Sequence, residues 1–280
     1  MPGKSARQQW RFEADSARPM TSPRKLALVT GASGGIGLEF ARLLARDGYD
    51  LAIVARSEPK LREVARELHD AFGVDVTPVA LDLSAADSAD ALAARVESCD
   101  VLINNAGFAT NARFEKIDES RIEEEITLDV LTLTRLTRKY LPGMLAKRSG
   151  RILNVASTAG FLPGPFMAVY YACKAYVISF SQAIAEELRD SGVTVTCFCP
   201  GATDTGFAAR ANTGDTLLFK FPRANAKAMA KAGYRGMQKG KLMVVPLLGD
   251  RVVELSARLT PRRMLLWFSR KAVEVEEQHA

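Results

Sequence analysis

The stretch from Thr30 to Gly37 constrains the fold more than any other part of this chain, because it joins an apolar run to a helical pattern through a tight turn. Leu26–Val29 precedes the turn, and apolar residues recur at helical spacing from Ile36 onward. Glycine occupies four of the seven positions 31–37, which lets the backbone turn sharply and approach a bulky anion closely. The N-terminus of a helix favours a phosphate group. The sequence therefore predicts a strand, a phosphate-binding turn and a helix.

The same turn is also compatible with a plain strand-to-helix connection that binds no ligand. Its glycines, Gly31, Gly35 and Gly37, follow the spacing G-x-x-x-G-x-G, which differs from the common dinucleotide fingerprint G-x-G-x-x-G. A phosphate-loop NTPase would need lysine and then serine or threonine after the last glycine, whereas Leu38 and Glu39 follow Gly37. Nucleotide hydrolysis is therefore disfavoured.

The chain has 280 residues, enough for a large core, and no segment resembles a linker between two domains. We expect a polar extension at 1–24, one domain at 25–260 with a substrate loop at about 206–240, and a helical tail at 261–280. The extension has no apolar signal-peptide core, and no apolar run approaches the roughly 20 residues that span a membrane. The net charge of +6 comes mostly from the two ends, which gives little support for nucleic-acid binding.

The tail contains the apolar run Met264–Phe268 with arginine or lysine on both sides. Such a segment could touch a membrane surface. We favour the alternative, a terminal helix that docks on the body of the protein or on another subunit.

The cysteines and histidines argue against disulfide or zinc sites and against histidine-based sites. The four cysteines form neither a disulfide framework nor a paired zinc motif, which fits a reducing, cytoplasmic setting. Cys197 and Cys199 alternate within an apolar strand and are predicted to be buried on one face. The two histidines, His69 and His279, nearly exclude a histidine triad or a multi-histidine metal site, so we predict no metal.

Strand-like and helix-like segments alternate along the chain. Strands are predicted at 26–30, 50–55, 76–81, 101–104, 151–155, 193–198 and 242–245. Helices are predicted at 36–47, 59–72, 84–97, 119–148 and 168–189, followed by an irregular or partly helical stretch at 208–240 and the helical tail. This alternation is typical of an α/β fold with a doubly wound, Rossmann-type parallel sheet and helices on both faces.

In such sheets the ligand binds at the carboxyl ends of the strands. Unusual residues fall at those ends: Gly31, Arg56, Asp82, Asn104, Ser157 and Pro200. Arg56 ends the second strand, where an acidic residue would bind the adenosine ribose of NAD. An arginine there would instead meet the 2′-phosphate of NADP, with Ser33 adding a hydroxyl contact. The alternative is a solvated arginine at a helix entrance.

Two further strand ends permit both a binding and a structural role. Asp82 and Leu83 end the third strand, and Asp82 would either bond the adenine amino group or cap a helix that starts at Ser84. Asn105 follows the fourth strand within Asn104–Gly107, where small residues let a cofactor lie across the sheet edge. Asparagine side chains also pin loops together, so a purely structural role for Asn105 stays open.

The strongest chemical feature is a tyrosine and a lysine at the start of a long helix. Tyr170 and Lys174 are four residues apart and therefore share one helix face. A nearby ammonium stabilises tyrosinate and lowers the pKa of the tyrosine towards the working pH. Ser157, 13 residues earlier at a strand end, could hydrogen-bond the same substrate oxygen. Together with the glycine turn, this pattern is far more specific than any of its parts.

Taken together, these motifs resemble those of the short-chain dehydrogenase/reductase family, and most closely its single-domain bacterial NADP-dependent oxidoreductases. The matching pieces follow the family order over about residues 25–205: Thr30-Gly31-x-x-x-Gly35-x-Gly37, Asn104-Asn105-Ala106-Gly107, Ser157, Tyr170-x-x-x-Lys174 and Pro200-Gly201. The resemblance implies NADP(H) as the cofactor, preferred over NAD. It also implies cofactor contacts from Gly31, Ser33, Gly35, Ile36, Gly37, Arg56, Asp82, Leu83, Asn105, Ala106, Gly107, Tyr170, Lys174, Pro200, Gly201, Thr203 and Thr205.

The resemblance further implies a division of labour among the polar side chains. Tyr170 would be the general acid or base at the substrate oxygen, with Ser157 orienting that oxygen. Lys174 would lower the pKa of Tyr170 and bind the nicotinamide ribose. Thr205 would contact the nicotinamide carboxamide.

Asp129 departs from the family pattern, which usually has an asparagine at this position of the helix before Ser157. A carboxylate cannot donate an amide hydrogen bond, and when ionised it would raise the pKa of Lys174. We count Asp129 among the catalytic residues and expect activity to survive with an altered pH profile.

The sequence thus predicts an NADP(H)-dependent carbonyl reductase or the reverse alcohol dehydrogenase, with a non-catalytic NADP-binding sensor or interaction module as the alternative. Phe161–Phe166 and the loop at 206–240 are expected to shape the substrate site, and the apolar, proline-rich residues near Ser157 favour a hydrophobic carbonyl compound. By family analogy we expect a homodimer or homotetramer that uses the two long helices.

Overall fold

The fold is built on one parallel sheet of seven strands. The computed structural model describes residues 24–207, 211, 216 and 224–274. The strands of the sheet are β1 (Leu26–Thr30), β2 (Asp50–Ala55), β3 (Val76–Ala80), β4 (Val101–Asn104), β5 (Gly150–Val155), β6 (Val193–Phe198) and β9 (Met243–Val244), while the short β7 (Thr203–Asp204) and β8 (Ala224–Asn225) pair with each other. The sheet order is β3-β2-β1-β4-β5-β6-β9, and every pair is parallel. The predicted fold class is confirmed.

Nine α-helices are described within those residues. They are α1 (Gly35–Arg46), α2 (Glu58–Phe72), α3 (Ser88–Arg95), α4 (Glu119–Ile126), α5 (Leu133–Ala146), α6 (Ala168–Glu187), α7 (Ala226–Gln238), α8 (Leu248–Leu259) and α9 (Arg262–Val273). A π-helical segment, Thr127–Thr132, joins α4 to α5, and 3-10 turns cover Phe114–Lys116 and Thr158–Phe161.

The strands form where apolar residues run almost without interruption, because the sheet is buried on both faces. Ala27, Leu28 and Val29 in β1 are fully buried, and successive side chains point to opposite faces. One core includes Ala27 and Val29 with residues of α1, α2 and α7. The other includes Leu28 with residues of α3, α5 and α6. The sheet therefore lies between two helical layers, and its strand order reverses between β1 and β4, where a ligand site is expected.

Two predicted helices differ from the observed ones. The helix expected at 84–97 begins only at Ser88, because the Asp82 carboxylate accepts hydrogen bonds from the backbone N–H and hydroxyl of Ser84 and holds them in a turn. The helix expected at 119–148 is interrupted by the π-helical segment, for which the sequence carries no local signal. Most of the predicted extension and part of the predicted substrate loop lie outside the described residues.

All four cysteines are free and buried, and the sulfur atoms of Cys197 and Cys199 are 3.6 Å apart, which confirms their predicted burial on one face. Among the described helices, none combines the length and apolar character that crossing a membrane requires.

Candidate active site

The glycine turn has the geometry that its sequence predicts. Gly31 and Gly35 have φ angles of +68° and +57°, in the left-handed region that favours glycine. A Cβ atom on Gly31 would lie 2.7 Å from the side-chain nitrogen of Asn105, and one on Gly37 would collide with the same amide. Glycine at these two positions therefore lets the loop after β4 approach the turn.

Thr30 fastens the turn to the loop after β4. Its hydroxyl accepts hydrogen bonds from the backbone N–H groups of Asn105 and Ala106, both at 2.9 Å. The Asn105 side chain donates to the Thr30 carbonyl oxygen at 2.8 Å. The structure thus places Asn105 in the structural role that the sequence left open. Sequence analysis missed the role of Thr30, because a threonine at the end of a strand is not distinctive.

The turn is shaped to receive a phosphate group. Gly34 precedes α1 and makes no side-chain cap, and a Cβ atom added to it would meet nothing within 4 Å. The first N–H groups of α1 therefore have no acceptor from a side chain at the capping position, and the space beside Gly34 is open. Thr205 lies on the other side, with its methyl carbon 3.1 Å from the Cβ position of Gly35. Among the other predicted contacts, Ile36 is partly buried in the core and Ser33 is half-buried beside the turn. This cradle fits a dinucleotide pyrophosphate.

Arg56 and Asp82 lie together at the ends of β2 and β3. Arg56 is exposed, and its positive charge acts on Asp82. Partial burial raises the pKa of Asp82, but the hydrogen bonds from Ser84 and the charge of Arg56 outweigh it, so the pKa is lowered. The Asp82 carboxylate therefore stabilises the turn at Ser84 in this structure. The Arg56 side chain is exposed and accessible to a ligand phosphate. The carbonyl oxygen of buried Leu83 accepts from Thr132 at 2.8 Å.

Ser157 and Tyr170 meet beyond the carboxyl end of β5. The Ser157 hydroxyl accepts a hydrogen bond from the backbone N–H of Ala159 at 3.1 Å and lies 3.4 Å from the carbonyl oxygen of Pro200. The nearby Ser157 hydroxyl lowers the pKa of Tyr170. Burial and the charge of Asp129 have the opposite, larger effect, so the pKa of Tyr170 is raised.

Lys174 is buried and faces Asp129. Its ammonium nitrogen lies 3.6 Å from a carboxylate oxygen of Asp129, 3.3 Å from the carbonyl oxygen of Val155 and 5.4 Å from the centre of the Tyr170 ring. Gly107 permits this pairing, because a Cβ atom there would collide with the Asp129 carboxylate. Burial raises the pKa of Asp129 to about 6 although the charge of Lys174 lowers it. The Lys174 ammonium, which the sequence predicts to lower the pKa of Tyr170, therefore interacts partly with Asp129 instead.

A second buried carboxyl group, Glu125, lies one helical turn before Asp129. It is 1% exposed and lies near Thr110. Burial raises its pKa to about 7, and the charge of Asp129 adds to that effect. Sequence analysis missed Glu125. The available signal is its spacing of four residues from Asp129, which places both side chains on one helix face.

The segment after β6 closes the site on its far side. The backbone N–H of Gly201 donates to the Asp250 carboxylate of α8 at 3.2 Å, and the Thr203 hydroxyl donates to the Gly201 carbonyl oxygen at 2.9 Å. Burial raises the pKa of Asp250, which the hydrogen bond from Gly201 partly offsets. Asp250 is a further residue that sequence analysis missed, because it lies about 50 residues along the chain from the loop that it holds.

A family model for short chain dehydrogenases matches residues 25–216, more than half of the chain. The chain belongs to the short-chain dehydrogenase family. The resemblance predicted from the motifs is therefore confirmed. The match includes the glycine turn, Asp129, Ser157, Tyr170 and Lys174.

Curated relatives include very-long-chain 3-oxoacyl-CoA reductases. The one from Laccaria bicolor is 38% identical over 175 residues, which cover 60% of this chain and 52% of the relative. The one from Rattus norvegicus is 36% identical over 180 residues, covering 62% and 58%, respectively. The chain therefore spans little more than half the length of the curated relatives it matches.

The matches to solved structures extend over a larger share of both chains. A short-chain dehydrogenase from Sphingobium yanoikuyae in complex with NADPH has a TM-score of 0.76 and 33% identity, covering 84% of this chain and 93% of that chain. The bulky-bulky ketone specific alcohol dehydrogenase from Comamonas testosteroni has a TM-score of 0.72 and 28% identity, covering 91% and 96%, respectively.

Proposed function

We propose that this chain is an NADP(H)-dependent oxidoreductase that reduces a hydrophobic carbonyl compound to its secondary alcohol. The observation that carries the proposal is the approach of Ser157 to Tyr170, with Lys174 behind them, at the same sheet edge as the glycine turn. The NADPH complex of the Sphingobium protein supports the cofactor. The alternative of a non-catalytic NADP-binding sensor is not favoured, because all three catalytic side chains are present together.

Each residue has a distinct role in the proposed reaction. Bound NADPH supplies the hydride that reaches the carbonyl carbon. Tyr170 donates its proton to the carbonyl oxygen as negative charge develops there, and Ser157 orients that oxygen. Because burial raises the pKa of Tyr170, its hydroxyl is kept protonated, which suits an acid in the reducing direction. Lys174 holds positive charge near the Tyr170 ring and limits the cost of any tyrosinate.

The surroundings of Tyr170 favour an apolar substrate. The ring of Phe207 lies 5.5 Å from that of Tyr170, and Phe166 packs against the same cluster. A groove of about 500 Å³ lies nearby, lined by the apolar residues Phe114, Pro165, Phe166, Leu266 and Trp267 together with Arg113, Glu115 and Arg270. Mostly apolar walls suit a bulky or long-chain carbonyl compound. The names of the relatives, a very-long-chain 3-oxoacyl-CoA reductase and a bulky-bulky ketone specific alcohol dehydrogenase, agree with this class.

The substrate class can be tested by NADPH oxidation with a graded set of carbonyl compounds. We expect medium- and long-chain 3-oxoacyl thioesters and bulky aryl ketones to give higher kcat/KM than a keto sugar. Phe207→Ala should lower kcat/KM for the bulky substrates by about tenfold or more, because it removes an apolar wall. Phe72→Ala, at the end of α2, is the matched control and should leave kcat/KM unchanged. A preference for the keto sugar would contradict the proposed class.

The preference for NADP over NAD rests on Arg56. We expect Arg56→Ala to lower kcat/KM with NADPH by about 10- to 100-fold, since a charge-assisted contact to the 2′-phosphate contributes about 1.5–3 kcal/mol. Activity with NADH should change little. Arg46→Ala is the control, because Arg46 is exposed and lies at the end of α1 that is away from the glycine turn. Wild-type protein that prefers NADH would overturn the assignment of Arg56.

We further propose a cytoplasmic homodimer or homotetramer. The free cysteines agree with a reducing compartment. Apolar side chains on the two long helices, among them Leu145 on α5 and Tyr176 on α6, are partly exposed and available for a subunit contact.

A further inference from the structure

The last two helices present apolar side chains to solvent. On α8, Leu248, Val252, Leu255 and Leu259 are 79%, 65%, 59% and 76% exposed. Their spacing of four, three and four residues places them on one face of the helix. Most large apolar side chains in α1–α6 are buried, so this stripe is exceptional for the molecule. An exposed apolar face of this size indicates a contact surface.

Helix α9 divides its apolar residues between the protein body and solvent. Leu265 and Val273 are buried, and the Val273 carbonyl oxygen accepts a hydrogen bond from Asn111 at 3.0 Å. Trp267 and Phe268 are instead 58% and 56% exposed, with their rings in edge contact. The helix is thus fixed to the body on one side and leaves an aromatic pair outside.

Basic residues outnumber acidic residues in the same two helices. Residues 248–274 contain six lysines and arginines and three acidic residues. Of the acidic ones, Asp250 is engaged with Gly201, and Glu274 pairs with Arg270 and Lys271. Arg262 and Arg263 are exposed at the start of α9, beside the aromatic pair. The exposed side chains of the two helices therefore include leucines, aromatic rings and arginines, which is the composition of helices that lie in a bilayer interface.

We propose that the exposed face of α8 and α9 binds the surface of an anionic phospholipid bilayer. The apolar side chains enter the headgroup boundary, and the arginines contact lipid phosphates. A second copy of the chain is a poorer occupant, because its matching surface carries the same net positive charge. Anionic lipid complements both the apolar and the positive character of the face.

Both helices also contact the surroundings of the candidate active site. Asp250 of α8 holds the Gly201 amide beside the predicted nicotinamide position. Trp267 and Leu266 of α9 line the groove that leads towards Phe166. If the proposed function holds, the docking surface therefore lies beside the groove proposed for the substrate. The docking itself does not depend on the proposed reaction.

Vesicle flotation of the full chain tests the proposal. We expect binding to vesicles of phosphatidylcholine and phosphatidylglycerol (3:1), weaker binding at 0.5 M salt, and little binding to phosphatidylcholine alone. Each arginine removed should weaken binding about fivefold, so Arg262→Glu with Arg263→Glu should nearly abolish it. Leu255→Glu with Trp267→Glu should do the same through the apolar side. Lys60→Glu with Arg66→Glu makes the same charge change on α2 and should leave binding intact.

A second measurement separates lipid binding from misfolding and from self-association. In the Trp10→Phe background the fluorescence comes from Trp267, and we expect its maximum to shift to shorter wavelength on addition of anionic vesicles. Circular dichroism and NADPH binding should be unchanged in every variant. Absence of flotation and of the fluorescence shift in the wild type would overturn the proposal. So would variants that bind vesicles like the wild type, or an oligomer that Leu255→Glu dissociates without any lipid binding.

Discussion

Tyr170→Phe is expected to lower turnover by about 10²- to 10⁴-fold while NADPH binding persists, because the variant loses the proton donor and keeps the ring. The Ser157 hydroxyl cannot replace it, because an aliphatic hydroxyl is a much weaker acid than a phenol. The ring itself contributes to the apolar cluster with Phe207, which the substitution preserves. Steady-state NADPH oxidation measures the first effect, and a fluorescence titration with NADPH measures the second.

The adjacent tyrosine provides the control. Tyr171 has its ring 6.2 Å from that of Tyr170, and its hydroxyl faces Ser269 of α9 rather than Ser157. Tyr171→Phe should therefore keep turnover within a few fold of the wild type. If Tyr170→Phe retained full turnover, Tyr170 would not be the acid. If the wild type bound NADPH but reduced no carbonyl compound in the set, the sensor hypothesis would replace the enzyme.

The sheet was largely predictable because its signal is local. Four of the predicted strands have the observed bounds, and β3 and β5 differ by one residue. The central strands β1, β2 and β4 are nearly continuous buried apolar runs between polar turns. The glycine turn was predictable for the same reason: its function depends on residues that are consecutive in the sequence. The shared helix face of Tyr170 and Lys174 was predictable as well, because it follows from their spacing of four residues alone.

Contacts between distant segments were not predictable. Thr30 binds the loop after β4, and Asp250 holds a backbone amide about 50 residues away, so neither role leaves a pattern in the sequence. The π-helical segment around Asp129 also lacks a sequence signal, although such segments often occur at functional sites. Burial of Glu125 beside Asp129 depends on that segment and on the packing of α4 against α6. These features require the three-dimensional structure.

Asp129→Asn is expected to stabilise the protein at neutral pH. Burial raises the pKa of Asp129 from its ordinary 3.8 to about 6, so the folded chain holds this proton more tightly than the unfolded chain. The contribution of the Asp129 carboxyl group to the free energy of unfolding is therefore complete below about pH 4, and it is lost as pH rises through about 6. Asparagine has the shape and charge of the protonated acid at every pH. The variant should exceed the wild type at pH 7.5 by about 1–3 kcal/mol in urea unfolding, with little difference at pH 4.

Glu125→Gln is the matched comparison, because it neutralises the other buried carboxyl group on the same helix face. Burial raises the pKa of Glu125 to about 7, so its loss of stability with rising pH occurs at higher pH than that of Asp129. This variant should also gain stability at pH 7.5 or above. Its effect on Tyr170 should be smaller, since the charge of Asp129 influences the pKa of Tyr170 more than that of Glu125 does.

The effect of Asp129 on catalysis follows from the same charge. Ionised Asp129 raises the pKa of Tyr170 and draws the Lys174 ammonium towards itself at 3.6 Å. Alcohol oxidation requires ionised Tyr170, so Asp129→Asn should move the rise of kcat/KM in that direction to lower pH by about one pH unit. Carbonyl reduction requires protonated Tyr170, and its decline at high pH should move the same way. A profile that stays in place, or moves to higher pH, would show that Asp129 does not set the ionisation of Tyr170.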